Sequence, residues 1–297
     1  MASQKTVLVA GATGRFGAVV PALLDRDHTV RALTRETGSP AAAKLRELGA
    51  EVVYGDFDQP ESIETAGDGV DAAFFTGTAH RAGPEGEARH GKNFADAMAA
   101  VRVPHVVYSS GAGADQATGL PVFESKLAVE QRIQTLGLAA TVLAPVYFME
   151  NAFNPWNVPL LQAGKLPVAL PPQRPLQQIP VGDVAKFAAL AIERPDDFIG
   201  RRIELASDEL TGSQAAQRLS HVLGRHIDVA QLDQDSLGSG LRALFSWLDQ
   251  VGHSVDIEGL RTRYPEVGWH GFEDWAAQQD WSAIPGPAAR EPSGCVA

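Results

Sequence analysis

Residues 6–17, Thr6-Val-Leu-Val-Ala-Gly11-Ala-Thr-Gly14-Arg-Phe-Gly17, constrain the fold more than any other stretch of this chain. A short apolar run leads directly into three glycines spaced three apart, and then into a helical pattern. That order is the one expected of a buried parallel strand, a tight turn and a helix N-terminus directed at a pyrophosphate. Gly11 permits the turn, Gly14 lets the backbone approach phosphates, and Gly17 lets the helix pack on the strand. Ala12 takes the second glycine position of the simplest fingerprint. Strand, loop and helix nevertheless arrive in the required order, which predicts nucleotide binding over an ordinary strand-to-helix turn.

The same alternation continues for half the chain. Short apolar runs at Thr6–Ala10, Thr29–Leu33, Glu51–Tyr54, Ala72–Phe75, His105–Ser109 and Ala140–Ala144 read as strands covered on both faces. Helical patterns lie between them at Phe16–Asp25, Pro40–Leu48, Glu87–Ala100 and Phe123–Leu136. Ser39-Pro40 is a well-formed helix start, and Gly49 and Gly137 stand where helices should stop. The reading is an α/β protein with a doubly wound parallel sheet.

The pattern changes after Pro145. Residues 151–182 are rich in Pro, Asn, Gln and apolar side chains and show no long periodic element. Structure is expected again at a helix Asp183–Glu193, a strand Arg202–Ala206, and helices Gly212–Leu223 and Ser236–Val251. The expected division is a nucleotide-binding domain over 1–150 and a smaller, partly interleaved cleft-forming α/β lobe over 151–283. Residues 284–297 read as a disordered tail.

Bulk properties narrow the class. The net charge is −11 with no basic block, which argues against direct nucleic-acid binding. No apolar run approaches the roughly 20 residues of a membrane span. The N-terminus carries no signal-peptide pattern, and the single cysteine, Cys295, offers no disulfide framework, so cytoplasm is the expected compartment. His221 and His226 lack metal-ligand spacing, and no metal is expected.

The second strand runs into Thr34-Arg35, with no carboxylate before Glu36. An acidic residue here would hold a ribose 2′-hydroxyl, whereas Arg35 and Thr34 suit a 2′-phosphate, favouring NADP(H) over NAD(H). Arg15 is a second candidate for that phosphate or the adenine face. After the third strand, Asp56 is placed to accept from the adenine amino group and Phe57 to pack near the ring, while Asp58 suits a helix cap. Thr76-Gly77 reads as close backbone approach to ribose or pyrophosphate.

Taken together, Gly11-Ala-Thr-Gly14-Arg-Phe-Gly17, Thr34-Arg35, Gly55-Asp56-Phe57-Asp58, Val107-Tyr-Ser-Ser110, Phe123-Glu-Ser-Lys126, Pro145-Val-Tyr-Phe-Met-Glu-Asn151 and Pro180-Val-Gly-Asp183-Val184 resemble the NmrA-like branch of the atypical short-chain dehydrogenase/reductases. The resemblance implies a Rossmann-like NADP-binding domain with a small C-terminal lobe forming the substrate cleft. It departs at one position. The usual Tyr-x-x-x-Lys has Val122 where the tyrosine should stand, so the standard serine–tyrosine–lysine machinery does not carry over whole.

Lys126 remains, with Ser109 or Ser110 at the end of the fifth strand. Isoflavone-reductase-like relatives, which also lack the tyrosine, imply a lysine in acid–base work; the other reading is a lysine that only binds cofactor. Tyr147 is a candidate substitute acid or a cleft wall, and Pro145 is expected to shape the nicotinamide pocket. Glu150 and Asn151 suit polar links between lobes, and His80 a second wall of the cleft. The aromatic residues of Phe245–Trp275 read as core or cleft lining.

Three functions are compatible with these residues. The preferred one is an NADPH-dependent oxidoreductase for a small apolar carbonyl, quinone, enone or imine. The second is a non-catalytic NADP(H) sensor, which the resemblance also allows and the missing tyrosine favours. The third is a redox-neutral cyclase or isomerase that retains the cofactor. Pairing of copies through Glu87–Ala100 and Phe123–Leu136 is as compatible with the pattern as a monomer.

Overall fold

The computed structural model describes residues 3–77 and 79–284; the His80 side chain and the tail from residue 285 lie outside the described residues. The first strand, β1 (Thr6–Ala10), sends Val7 and Val9 into one apolar cluster and Leu8 and Ala10 into another. Period-two alternation with both faces apolar requires a helical layer on each side. A 3-10 turn at Arg15–Ala18 leads into α1 (Val19–Leu24), followed by β2 (Thr29–Thr34), α2 (Pro40–Glu47), β3 (Glu51–Tyr54) and α3 (Pro60–Gly67). Next come β4 (Ala72–Thr76), α4 (Ala79–Ala100), β5 (Val106–Ser109), α5 (Pro121–Thr135) and β6 (Ala140–Pro145).

The second half continues through β7 (Tyr147–Phe148), α6 (Val158–Gln162), β8 (Lys165–Val168), β9 (Pro175–Ile179), α7 (Val181–Glu193), α8 (Pro195–Phe198) and β10 (Arg202–Leu205). It closes with β11 (Asp208–Thr211), α9 (Gly212–Leu223), β12 (Asp228–Gln231), α10 (Ser239–Gln250), α11 (Ile257–Arg263) and α12 (Phe272–Ala277).

Seven strands form one sheet in the order β10-β6-β5-β4-β1-β2-β3, every pair parallel. The chain order reverses between β1 and β4, and in open sheets of this kind ligands bind in the crevice beyond the strand ends at that point. Helices α1 and α7 cover one face through Val20, Leu23, Phe187 and Leu190. The other face is covered by α3, α4 and α5 through Ile63, Phe94, Met98 and Val129. A third cluster, including Met149, Leu166, Leu219, Phe272 and Trp275, gathers the later elements around two small sheets, β11-β9-β7 and β12-β8.

Several expectations need correction. The segment 151–182 is not irregular throughout: it contains α6, β8 and β9, each too short to leave a periodic signature. The strand expected at Arg202–Ala206 forms as β10 but pairs in parallel with β6, extending the main sheet. Tyr147 and Phe148 leave that sheet and pair with β9. The helix expected from Glu87 begins at Ala79 and is broken at Gly83, whose φ of 66° no helix contains, with Pro84 restarting it. Ile284, expected in the tail, is buried in the third cluster. Among the described residues, no helix is long and apolar enough to cross a membrane.

Candidate functional site

Beyond β1 the backbone turns sharply at Gly11, whose φ of 82° suits glycine. The Gly14 N–H donates to Gly11 O and the Gly17 N–H to Gly14 O, each at 3.0 Å. A Cβ on Gly17 would lie 2.5 Å from Ala12 O, so the turn itself leaves no room for a side chain there. Phe16 gives only its backbone to this turn. Its ring is buried against Phe74 and Phe148, at centroid distances of 5.8 and 5.7 Å. Thr13, Gly14 and Arg15 stay exposed.

Arg15 reaches the segment after β7. Its guanidinium donates to Asn151 Oδ1 at 2.7 Å and also to Asn154 Oδ1, tying the glycine turn to the segment after β7. At the end of β2, Thr34 Oγ1 accepts from the Glu36 N–H at 3.2 Å. Arg35 is exposed and has no hydrogen-bond or ion-pair partner among the described residues.

After β3, Asp56 Oδ1 accepts from the Asp58 N–H at 3.1 Å. Phe57 stacks on His90 at 5.6 Å and meets Phe94 edge-on at 6.0 Å. Asp58 is not the cap of α3, because that position belongs to Gln59. The Asp58 carboxylate instead pairs with Arg89 at 3.1 Å and His90 at 3.2 Å, and the Arg89 hydrogen bond holds it below the usual carboxylate range.

Thr76 and Ser109 are register partners at the carboxyl ends of β4 and β5. Ser109 Oγ and Tyr108 Oη are buried without a hydrogen-bond partner among the described residues. Burial first, then the Glu87 and Glu130 carboxylates, push the Tyr108 phenol well above its ordinary value. The Ser110 hydroxyl donates to Glu130, whose other oxygen takes Arg202 Nε at 3.2 Å. Arg202 also reaches Gly111 O and Asp115, each at 3.0 Å, fastening β10 to the loop after β5.

Lys126 stands in the N-terminal half of α5, its aliphatic chain beside Gly111. Its ammonium donates to Glu87 Oε1 at 2.6 Å, and the Ser125 hydroxyl donates to Glu87 Oε2 at 2.5 Å. Helix α10 packs against α5, with Trp247 edge-on to Phe123 at 5.1 Å; Phe245 lies 6.2 Å from Tyr147. Burial pushes the Tyr147 phenol up to about 12, against weaker opposing effects of Asn151 and Arg15. Pro145 O accepts from the Ala112 N–H at 3.0 Å, fixing the loop after β5 beside the end of β6. Glu150 Oε1 accepts from the Val181 N–H at 3.0 Å and from Trp275 Nε1 at 3.1 Å, and burial raises this carboxyl.

Sequence reasoning passed over Glu87, Glu130, Arg202 and Asn154. Each gains its meaning from a distant partner. One signal was available for Glu87: Pro84 at a helix start followed by a carboxylate in the first turn.

The strand order, the turn at Gly11 and the reversal at β1 and β4 define a Rossmann-like α/β protein. Residues 3–276 match the NmrA-like family, and the chain belongs to it. Among curated relatives it is 27% identical over 197 residues to the photosystem II assembly factor Ycf39 of Trieres chinensis, covering 64% of this chain and 60% of that one. The match to Ycf39 of Cyanophora paradoxa covers 50% of that protein, so the chain spans only half to three fifths of these relatives. It is 29% identical over 241 residues to (4-alkanoyl-5-oxo-2,5-dihydrofuran-3-yl)methyl phosphate reductase of Streptomyces griseus, covering 80% of this chain and 81% of that one. Two solved structures share the fold. The Citrobacter sp. triphenylmethane reductase complexed with NADP(H) has a TM-score of 0.76 at 19% identity, covering 92% of this chain and 99% of that one. The negative transcriptional regulator NmrA has a TM-score of 0.74 at 21% identity, covering 93% and 95%.

Proposed function

We propose that this chain is a cytoplasmic NADPH-dependent oxidoreductase acting on a small apolar carbonyl, quinone, enone or imine. In this reading residues 1–150 hold the nucleotide and the later elements wall the substrate cleft. The residues present fit such a cofactor: a glycine turn at the switch point and, just after β2, an exposed guanidinium with no partner among the described residues. Arg35, with Thr34, is the group that would take a 2′-phosphate, which supports NADPH over NADH.

The observation that carries the catalytic part is Lys126 on α5, an ammonium anchored by the buried Glu87 carboxylate at the position where the family resemblance puts the short-chain reductase lysine. The cofactor, when bound, supplies a hydride. Lys126 then orients the acceptor and stabilises negative charge developing on it, with the Ser109 and Tyr147 hydroxyls assigned to the same cleft in this reading. Tyr147 stays protonated through neutral pH and acts as a hydrogen-bond donor and cleft wall. Phe245 and Trp247 suit an apolar ligand better than a charged one. The names of the Streptomyces and Citrobacter reductases support the same class of reaction.

Val122 favours one other reading, an NADP(H) sensor without turnover, and NmrA, a regulator, is a precedent within the fold. The test is NADPH consumption by the wild-type protein against a panel of quinones, enones, imines and aromatic ketones, with NADPH binding measured in parallel. Acceptor-dependent consumption supports the oxidoreductase. Tight binding with none supports the sensor.

A further inference from the structure

Glu87 is nearly withdrawn from solvent, its side chain 1% exposed, yet both of its oxygens are committed, one to Lys126 and one to Ser125. A buried carboxylate without partners is strongly disfavoured, and the local backbone is arranged to supply them. The break at Gly83 and the restart at Pro84 place Glu87 in the first turn of the long segment of α4, where free N–H groups favour negative charge. One turn further, Gly91 lets α4 approach α5: a Cβ there would lie 2.4 Å from Val129 Cγ2. At the end of β4, Gly77 leaves the space that Glu87 Oε1 fills, since a Cβ on it would lie 1.7 Å from that oxygen. A helix break, two close approaches and a hydroxyl thus converge on a single carboxylate.

We propose that Glu87 is the positioning residue of this site, holding the Lys126 ammonium in one place beside the ends of β4 and β5. Ser125 keeps the carboxylate from rotating away from Lys126. One of the three ammonium donors is spent on Glu87, which leaves two for a ligand and makes Lys126 a fixed hydrogen-bond donor in place of a mobile cation. The role in turnover rests on the oxidoreductase reading; the anchoring of Lys126 does not.

The test therefore has two arms. In the cofactor-free protein, acylation of Lys126 by acetic anhydride is followed by peptide mass spectrometry, with exposed Lys44 as the internal reference. Glu87→Gln removes the charge at nearly constant shape, and Lys126 is expected to react about tenfold faster relative to Lys44. An unchanged rate overturns the proposal. Should Glu87→Gln fail to fold, Ser125→Ala removes only the second anchor; a rise of about threefold is expected, and no rise again overturns it. In the second arm, Glu87→Gln is expected to lower kcat about tenfold while the acceptor KM stays within about twofold, as for a group acting in the transition state alone. A rise in KM with kcat intact overturns the positioning role. A wild-type protein that turns over no acceptor, with the acylation contrast intact, sinks the oxidoreductase reading and leaves the anchoring standing.

Discussion

Arg15 and Asn151, 136 residues apart, meet at 2.7 Å and join the glycine turn to the segment that follows β7. Asn154 accepts from the same guanidinium. The arginine expected on the 2′-phosphate or the adenine face is thus engaged with side chains of its own chain in this structure. Arg15→Ala is expected to lower stability by about 1 kcal/mol, read as a shift in the urea midpoint, since one bond is solvent-exposed and the other only part-buried. Its effect on the ratio of NADPH to NADH affinity should be small. A collapse of that ratio would return Arg15 to the phosphate.

Arg35 has the opposite character, being exposed and without a partner among the described residues. Arg35→Ala is expected to weaken NADPH binding by roughly 10- to 100-fold, the range for a charge-assisted contact, and to leave NADH binding nearly unchanged. Fluorescence titration with each nucleotide measures both. Equal losses for the two would show that Arg35 does not read the 2′-phosphate.

Gly77 makes a steric prediction. With Glu87 Oε1 1.7 Å from where its Cβ would stand, Gly77→Ala must displace the Glu87 carboxylate or the strand end. Overpacking of this kind costs about 1–3 kcal/mol, measurable by chemical denaturation. A variant as stable as the wild type would contradict the packing described.

His105 links stability to acid. Burial lowers its pKa from 6.5 to about 4, and Nε2 shares a hydrogen bond with Thr141 Oγ1 at 2.9 Å. A histidine with a depressed folded-state pKa is protonated more readily in the unfolded chain. Its contribution is thus fully present above pH 6.5 and is lost as pH falls toward about 4. The loss is on the order of 3 kcal/mol, and urea midpoints across that window should fall less steeply in His105→Gln than in the wild type.

The legible parts of this fold are those whose signal is local. The runs at β1, β4 and β5 are apolar on both faces and short, β2 is interrupted only by Arg31, and each forms within one residue of its expected bounds. The turn at Gly11 was legible because only its spacing and order were needed. By contrast, β7 has two residues and is a strand only because β9 lies beside it, and β8 exists through β12. Arg202–Leu205 carried a strand signal, but nothing local distinguishes a lobe strand from the seventh strand of the main sheet. Glu87 is the clearest case. It stood at the head of an expected helix, yet its partners lie 38 and 39 residues away.

In the proposed oxidoreductase, Lys126 serves turnover of NADPH on a small apolar acceptor. The most direct measurement compares acceptor-dependent NADPH consumption by wild-type and Lys126→Ala proteins, with NADPH binding checked in both. Consumption is expected to fall at least about 100-fold in the variant while NADPH stays bound, as for loss of a major transition-state donor. Wild-type rates in a variant that binds NADPH normally would contradict it.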